Sequence, residues 1–504
     1  MPADRIDPEF RALPLAALAD AALGRARELG AQHADVRVER ILSQGIDLRD
    51  GSVSAVSDTT TLGLAVRVIV DGVWGFASHV ELTSERAAAT AERAVVVART
   101  LAPVAVERVE RAGEPVHADV EWVSPYEVDP FAVPTREKIA LLTEWSQRLL
   151  AADGVDHVRV GVAQVREHKF YADTAGTRTL QQRVRIEPSI TATAVDRAAG
   201  GFETMSSTAP PVGRGWEYLT GHGGWDFDGE LAVIPEFLAE RTSAPSVQAG
   251  TYDLVIDPSN LWLTIHESVG HATEYDRAIG YEAAYAGTSF ATPDQLGTLR
   301  YGSEHMHVTG DRTVPHGLAS IGFDDDGVAT GEWDLVRDGV LVGYQLDRTF
   351  APRLGLDRSN GCAFADSPHH VPIQRMANVS LRPDPARDTT AEELIAGVER
   401  GIYVVGDKSW SIDMQRYNFQ FTGQRFYRIE GGKLAGQLRD VAYQATTTDF
   451  WGSMDAVGGP STWQLHGAMN CGKAQPGQIA AVSHGCPVAR FRGVNVLNTQ
   501  EEAR

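Results

Sequence analysis

Two histidines stand five residues apart, with a glutamate directly after the first, in Thr264-Ile265-His266-Glu267-Ser268-Val269-Gly270-His271. Two imidazoles can hold a divalent metal, and a carboxylate beside the first can take a proton from an activated water. The spacing is one residue longer than the usual zinc-peptidase helix motif. At about 100° per residue, an i, i+5 pair on a regular α-helix lies about 140° apart, aimed at different neighbours. Both histidines can face one metal only if the helix widens locally into a π-type turn, a rare feature that tends to mark functional sites. Gly270 is a residue that tolerates such a distortion. The alternative is a pair of ordinary helical histidines with no shared ligand.

The surroundings favour the metal. Thr251–Ile256 reads as a short strand, and Asp257-Pro258 follows as a helix N-cap with proline at the first helical position. The histidines then fall inside the helix that starts there.

His266–His271, with Glu274 and Asp276 behind it, resembles the signature of the TldD/TldE (PmbA) metallopeptidase family. Further segments are similar to that family in the same order: Phe323–Gly327, Arg375-Met376-Ala377-Asn378, Ile412-Asp413 through Asn418–Phe421, and Asn470-Cys471-Gly472-Lys473. Together they span most of residues 250–500, whereas the N-terminal half matches by organisation alone. The resemblance implies a barrel-like C-terminal domain, a peptidase of unfolded or short peptides (peptide precursors included), and a dimer. That dimer is either a homodimer or a heterodimer with a related TldE-like subunit, and this chain resembles the metal-bearing member.

A catalytic zinc usually has three protein ligands and one open position, so the helix needs a third donor from elsewhere. The chain has three cysteines, Cys362, Cys471 and Cys486. Lys473 beside Cys471 favours the thiolate that binds metal, and the family resemblance selects the same residue. Cys362 and Cys486 read as small buried thiols. His466 and His484 flank Cys471 and, with Lys473, are candidates to orient a ligand or substrate.

Other clusters read more weakly. His305 and His307 alternate on a strand-like segment, and His369-His370 would face opposite sides of a strand. Asp324-Asp325-Asp326-Gly327 lacks the spacing of a calcium loop and reads as a solvated strand-end turn.

The expected chemistry is zinc-dependent peptide hydrolysis, with one Zn2+ per active chain held by His266, His271 and Cys471, and Glu267 as general base. Strand-rich surroundings suit binding of a peptide by strand addition. The rival readings are a metal-dependent hydrolase of non-peptide amides or esters, and a non-catalytic binding or assembly subunit with a structural metal. The net charge of −21 argues against a phosphate-backbone ligand. A thiolate ligand needs a reducing compartment. The first residues, Met1–Asp7, have no basic segment backed by an apolar core, and no apolar run is long enough to span a membrane. A soluble, cytoplasmic protein is therefore expected.

The elements that must position this chemistry read as an α+β protein. Helices are expected over 13–30, 84–101 and 135–152, the first and third each feeding alternating strands. Asp50-Gly51, Asp71-Gly72, Asp338-Gly339 and Gly431-Gly432 mark hairpins, and Thr174–Thr177 plays that part in the second unit. The reading is two related helix-plus-antiparallel-sheet subdomains, 1–120 and 121–245, before a β-rich, barrel-like domain at 246–504 carrying the metal helix. Residues 102–134 read as a joint and 241–250 as a linker.

Overall fold

The structure is a computed structural model that describes residues 5–197, 200–221 and 224–502. Of the N-terminal stretch read above, Met1–Asp4 therefore lie outside the described residues. Among those described, no helix is long and apolar enough to cross a membrane.

The N-terminal half is built on long hairpins. Strands β1 (His33–Arg49) and β2 (Ser52–Val70) meet at Asp50-Gly51, where φ is +50° and +75°. β3 (Val73–His79) follows Asp71-Gly72, at +53° and +72°. Two successive left-handed residues make the tight turn whose twist matches the flanking strands, which Asp-Gly supplies at low cost. β4 (Val120–Val123) comes next, and β5 (His157–Asp173) turns into β6 (Arg178–Asp196) through the Thr174–Thr177 segment.

The two expected units are joined in one sheet of order β3-β2-β1-β5-β6-β4, with β7 (Gly201–Ser206) paired to β6. β1 and β5 pair antiparallel from Asp35↔Asp173 to Arg49↔Arg159. The segment read as a joint thus supplies an edge strand, β4, parallel to β6. At about 3.3 Å per residue, strands of this length run far beyond the reach of one core. Two cores accordingly form along one face. Ala34, Val36 and Val38 meet the helices Leu15–Glu28 and Ser84–Leu101, while Ile46 and Leu48 meet Thr135–Leu150 and Phe227–Ser243.

The other face of the sheet is polar and still buried. Alternation puts Asp35, Arg37 and Glu39 of β1 opposite the core residues. Here Lys169 Nζ lies 2.7 Å from Asp325 and 3.4 Å from Glu39, and Arg37 lies 3.5 Å from Asp325. Arg67 bridges Asp35 at 2.9 Å and also pairs with Asp326. This corrects the solvated turn expected at Asp324–Gly327. Asp324, Asp325 and Asp326 are 2%, 3% and 1% exposed, because Lys169 and Arg67, more than 150 residues away in sequence, dock onto Asp325 and Asp326 while backbone N–H groups take up Asp324. Asp324, which accepts backbone N–H bonds from Val328 and Ala363, is pushed by burial and by Asp326 up to about 8.

The C-terminal half holds a closed five-stranded barrel. Its strands are, in order around the wall, Arg400–Ile412, Gly250–Ile256, Ala489–Asn498, Val441–Thr446 and Asn418–Glu430, and the last pairs back to the first. Gly250–Ile256 runs parallel to Arg400–Ile412 and antiparallel to Ala489–Asn498. The helix Pro258–Ile265 leaves the central strand and is buried along its whole length. Its Leu261 and Ile265 join Leu254, Ile402, Phe421 and Val496 in the largest core. The other weak histidine clusters lie in turns: Glu304-His305 and Ser367–His370 are not strands, and His370 Nδ1 is 2.7 Å from Asp366.

Breaking the charged seam should unfold the protein more readily. Asp325→Ala removes one of the two carboxylates that Lys169 and Arg37 share, leaving both buried cations on Glu39, and should cost about 3 kcal/mol in urea unfolding. Arg11→Ala, which removes the half-exposed pair with Glu121, should cost less than about 1 kcal/mol.

Candidate metal centre

The helix that carries the motif begins on Asp257, whose side chain accepts from Ser259 N at 3.0 Å, with Pro258 in the first turn. It runs as α-helix to Ile265 and then as a single π turn over His266–Gly270. The widened turn is closed by an i→i+5 bond, His271 N to His266 O, at 3.0 Å. The insertion disturbs the backbone pairing, and neighbours take up the carbonyls. Tyr301 donates to Ser268 O, Thr273 N and Oγ1 to Val269 O at 3.0 and 2.8 Å, and Gln345 Nε2 to Gly270 O at 2.6 Å. Gly270 serves by close approach: a Cβ there would lie 2.6 Å from Met376 Sδ.

The turn does what the spacing requires. The His266 and His271 ring centroids are 4.7 Å apart. One nitrogen of each and Cys471 Sγ all lie within 4.8 Å of one another. His271 Nε2 is 3.6 Å from Cys471 Sγ. Zinc bonds of about 2.3 Å to sulfur and about 2.0 Å to nitrogen, at a tetrahedral angle, put those two atoms about 3.5 Å apart. The donor set and its spacing therefore fit a zinc ion. Among the described residues no fourth His, Cys or carboxylate joins this group.

The hydrogen bonds fix which nitrogens are free. His484 Nδ1 lies 2.8 Å from Val379 O, which can only accept, so Nδ1 carries the proton. Burial and the neighbouring His266 hold His484 well below its ordinary pKa, so it is neutral and its Nε2 accepts. That Nε2 lies 2.7 Å from His266 Nδ1, which must donate, leaving His266 Nε2 with a bare lone pair. His271 Nδ1 sits 2.9 Å from the Glu274 carboxylate, so its Nε2 is likewise bare. Burial lowers the pKa of both His266 and His271, keeping them neutral.

Glu274 is itself held by Lys473 Nζ and Arg277 Nε, each at 3.1 Å. Burial pushes this carboxyl up, but Lys473 and Arg277 outweigh it and hold the group well below the carboxylate range. Lys473 also bonds Asp276 at 2.8 Å. Cys471 is pushed up by burial and pulled down further by His271 and Arg375, for a net depression. Arg375 fixes the same residue by donating to Cys471 O at 2.5 Å. Cys362, by contrast, is raised to about 12 by burial, and Cys486 well above its ordinary value.

Of the residues read from sequence, His266, His271 and Cys471 come together, Glu267 sits beside them, and His484 and Lys473 contact the ligands or their partners. His466 bonds Gln464 and packs edge-on against Trp225. Several residues escaped the sequence reading of roles: Glu274 and Arg375, quoted only as parts of motifs, Arg277, and Arg416, whose Nη1 lies 2.6 Å from Glu267 Oε2. Arg416 sits 149 residues beyond Glu267, and spacing carries no signal for it.

His266, Glu267, His271, Cys471 and Arg416 line a cavity of about 470 Å³. Glu187 and Pro211 of the N-terminal half form one wall, and Trp262, Asp407 and Trp410 of the barrel side another. The strand Gln464–Lys473 passes along it through Gly467, Ala468 and Asn470. Among the described strands it pairs only with Gln478–Cys486, so its second edge is unpaired.

Comparison with known proteins gives a consistent picture. Models for the PmbA/TldA metallopeptidase domain 1, central domain and C-terminal domain match residues 34–98, 128–244 and 249–498. A metalloprotease of Methanothermobacter thermautotrophicus is 27% identical over 93% of this chain and 96% of its own. A zinc metalloprotease TldD homolog of Saccharolobus solfataricus is 22% identical over 94% and 98%. The fold matches that of a putative modulator of a DNA gyrase from Thermotoga maritima, at a TM-score of 0.75 and 16% identity over 95% and 99% of the two chains. It also matches TldE from Thermococcus kodakarensis, at 0.67 and 16% over 94% and 98%.

Glu274→Gln keeps the shape but weakens the hold on His271. Competition with a chromogenic chelator should show zinc affinity falling about 10- to 100-fold. An unchanged affinity would remove Glu274 from the account of the site.

Proposed function

Because the chain belongs to the PmbA/TldA metallopeptidase family, we propose that it is a zinc peptidase of unfolded or short peptides, peptide precursors included. The observation that carries this is the convergence of His266, His271 and Cys471 with a carboxylate beside them and, among the described residues, no fourth His, Cys or carboxylate donor. A structural zinc would normally be closed by four protein ligands, so three donors facing a cavity favour catalysis.

When bound, the metal supplies Lewis acidity that brings the pKa of water toward neutrality. The chain's own residues do the rest. Glu267 takes the proton of the attacking water and returns it to the leaving amine. His484 and Glu274 hold the two imidazoles in the tautomers that leave Nε2 free. The unpaired edge of Gln464–Lys473 offers backbone donors and acceptors to an extended peptide, which gives affinity with little sequence preference. A folded protein has most of its backbone groups already paired, so unfolded chains present such a strand more readily.

The thiolate among the ligands suits a reducing cytoplasm. The family resemblance favours action as a dimer, with a second copy or with a related TldE-like subunit.

The test is hydrolysis of an unstructured peptide by the purified chain, alone and with a co-expressed relative. Chelation should abolish cleavage and zinc should restore it, at one zinc per chain by metal analysis. Glu267→Gln should keep its zinc and lose at least about 10²-fold in kcat. Cleavage that survives both chelation and Glu267→Gln would overturn the assignment.

A further inference from the structure

The cleft needs a donor for the charge that develops on the scissile carbonyl oxygen, and neither imidazole can supply it. Both Nδ1–H groups are spent on His484 and Glu274. Among the described residues lining the cavity, Arg416 is the sole lysine or arginine. Its Nη1 binds Glu267 at 2.6 Å and its Nη2 binds Ala286 O at 3.0 Å, while its buried Nε has no partner.

The backbone that presents Arg416 is costly and heavily secured. Arg416 adopts φ +64°, a left-handed conformation that a bulky residue rarely takes. Its turn is locked by Asp413, whose carboxylate accepts from Gln415 N, Tyr417 N and Asn418 N at 3.1, 2.8 and 3.0 Å. Thr447 Oγ1 donates to Arg416 O at 2.8 Å. From the other side, Thr288 N and Phe290 N bond the carbonyls of Met414 and Gln415 at 2.7 and 2.9 Å. Strain held in place by this many bonds is where a functional constraint is expected. A guanidinium needed only to neutralise Glu267 would not require it.

We propose that Arg416 is a further catalytic residue of this cleft, the donor that stabilises the oxyanion of the tetrahedral intermediate; the assignment rests on the peptidase reading above. As water attacks, its proton passes to the Glu267 carboxylate and its lone pair forms the new C–O bond. The carbonyl π pair moves onto oxygen. Negative charge thus leaves Glu267, which becomes a neutral acid, and arrives on the carbonyl oxygen. Arg416 stays protonated throughout and shifts its hydrogen bonding from the first to the second. A donor already fixed beside the base needs only a small movement to follow the charge.

The test uses a phosphinic peptide, whose tetrahedral anion mimics that intermediate, and the matched amide substrate, with the zinc-loaded full-length chain. Calorimetry should show phosphinate affinity falling about 10²- to 10³-fold in both Arg416→Gln and Arg416→Lys. In active preparations kcat should fall by a similar factor with little change in KM. Zinc content and the unfolding midpoint identify any variant that fails to fold, and Arg416→Lys, which keeps the charge, is the milder of the two. The loss must recur on the Glu267→Gln background, where no carboxylate remains to repel the anion. Variants that bind the phosphinate as tightly as the parent would overturn the role of Arg416 alone. If the parent itself does not bind the phosphinate, the peptidase reading fails and this role falls with it.

Discussion

A single backbone hydrogen bond, His271 N to His266 O, governs the geometry of the whole centre. One extra residue in the turn brings position i+5 to the place that i+4 holds on a regular helix, and two imidazoles that would diverge face one point instead. The surplus residue also disturbs the local ladder, so the fold must provide donors for its carbonyls. Tyr301, Thr273 and Gln345 do so from a later turn of the same segment and from distant loops. The helix cannot be straightened without stranding these donors, nor the donors removed without freeing the helix. Burial of every residue in the turn makes that mutual dependence strong, because an unpaired polar group there has no water to fall back on.

The same logic of buried, fully partnered polar groups extends outward. Glu274 would be expensive alone in the interior, yet Lys473 and Arg277 hold it ionised, and its charge then orients His271. A neutral amide could accept the same hydrogen bond, but it would not enrich the imidazole as an electron donor in the way a carboxylate does. Arg375 contributes differently. It fixes the backbone of Cys471 and lowers the thiol toward the form that binds metal. Met376, the next residue, packs where Gly270 leaves room, and Val379 three positions on sets the tautomer of His484. One short segment thus reaches the ligands by three separate routes.

Much of this was written locally in the chain. The five-residue spacing demanded a π turn, and that turn is present. Asp-Gly pairs gave hairpins because their φ requirements are met within two residues. The helix expected at 84–101 forms over Ser84–Leu101. What was illegible depends on partners far apart in sequence. Asp324–Asp326 look like a solvated turn until Arg67 and Lys169 are placed against them by a sheet formed 150 residues earlier. That the sheets of the two N-terminal units join was not legible either, because nothing local in β1 or β5 announces that each is the other's neighbour. Arg416 lies in an ordinary-looking turn, and only the fold reveals that it reaches Glu267.

The charged seam bears on the chemistry as well as on stability. Glu187 and Pro211, which wall the cleft, belong to the N-terminal half, whereas the metal ligands belong to the barrel half. The width of the cleft therefore depends on how the sheet docks, and that docking includes the ion pairs of Lys169 with Asp325 and of Arg67 with Asp326. Apolar surfaces tolerate sliding, since burial is non-directional. Ion pairs with hydrogen-bond geometry do not, and a shift of one strand register would move every pairing residue to the opposite face. A seam of directional bonds fixes the far wall of the cleft relative to His266 and Glu267. The cleft beside the unpaired edge of Gln464–Lys473 is thus walled by both halves, and the barrel alone would not form it.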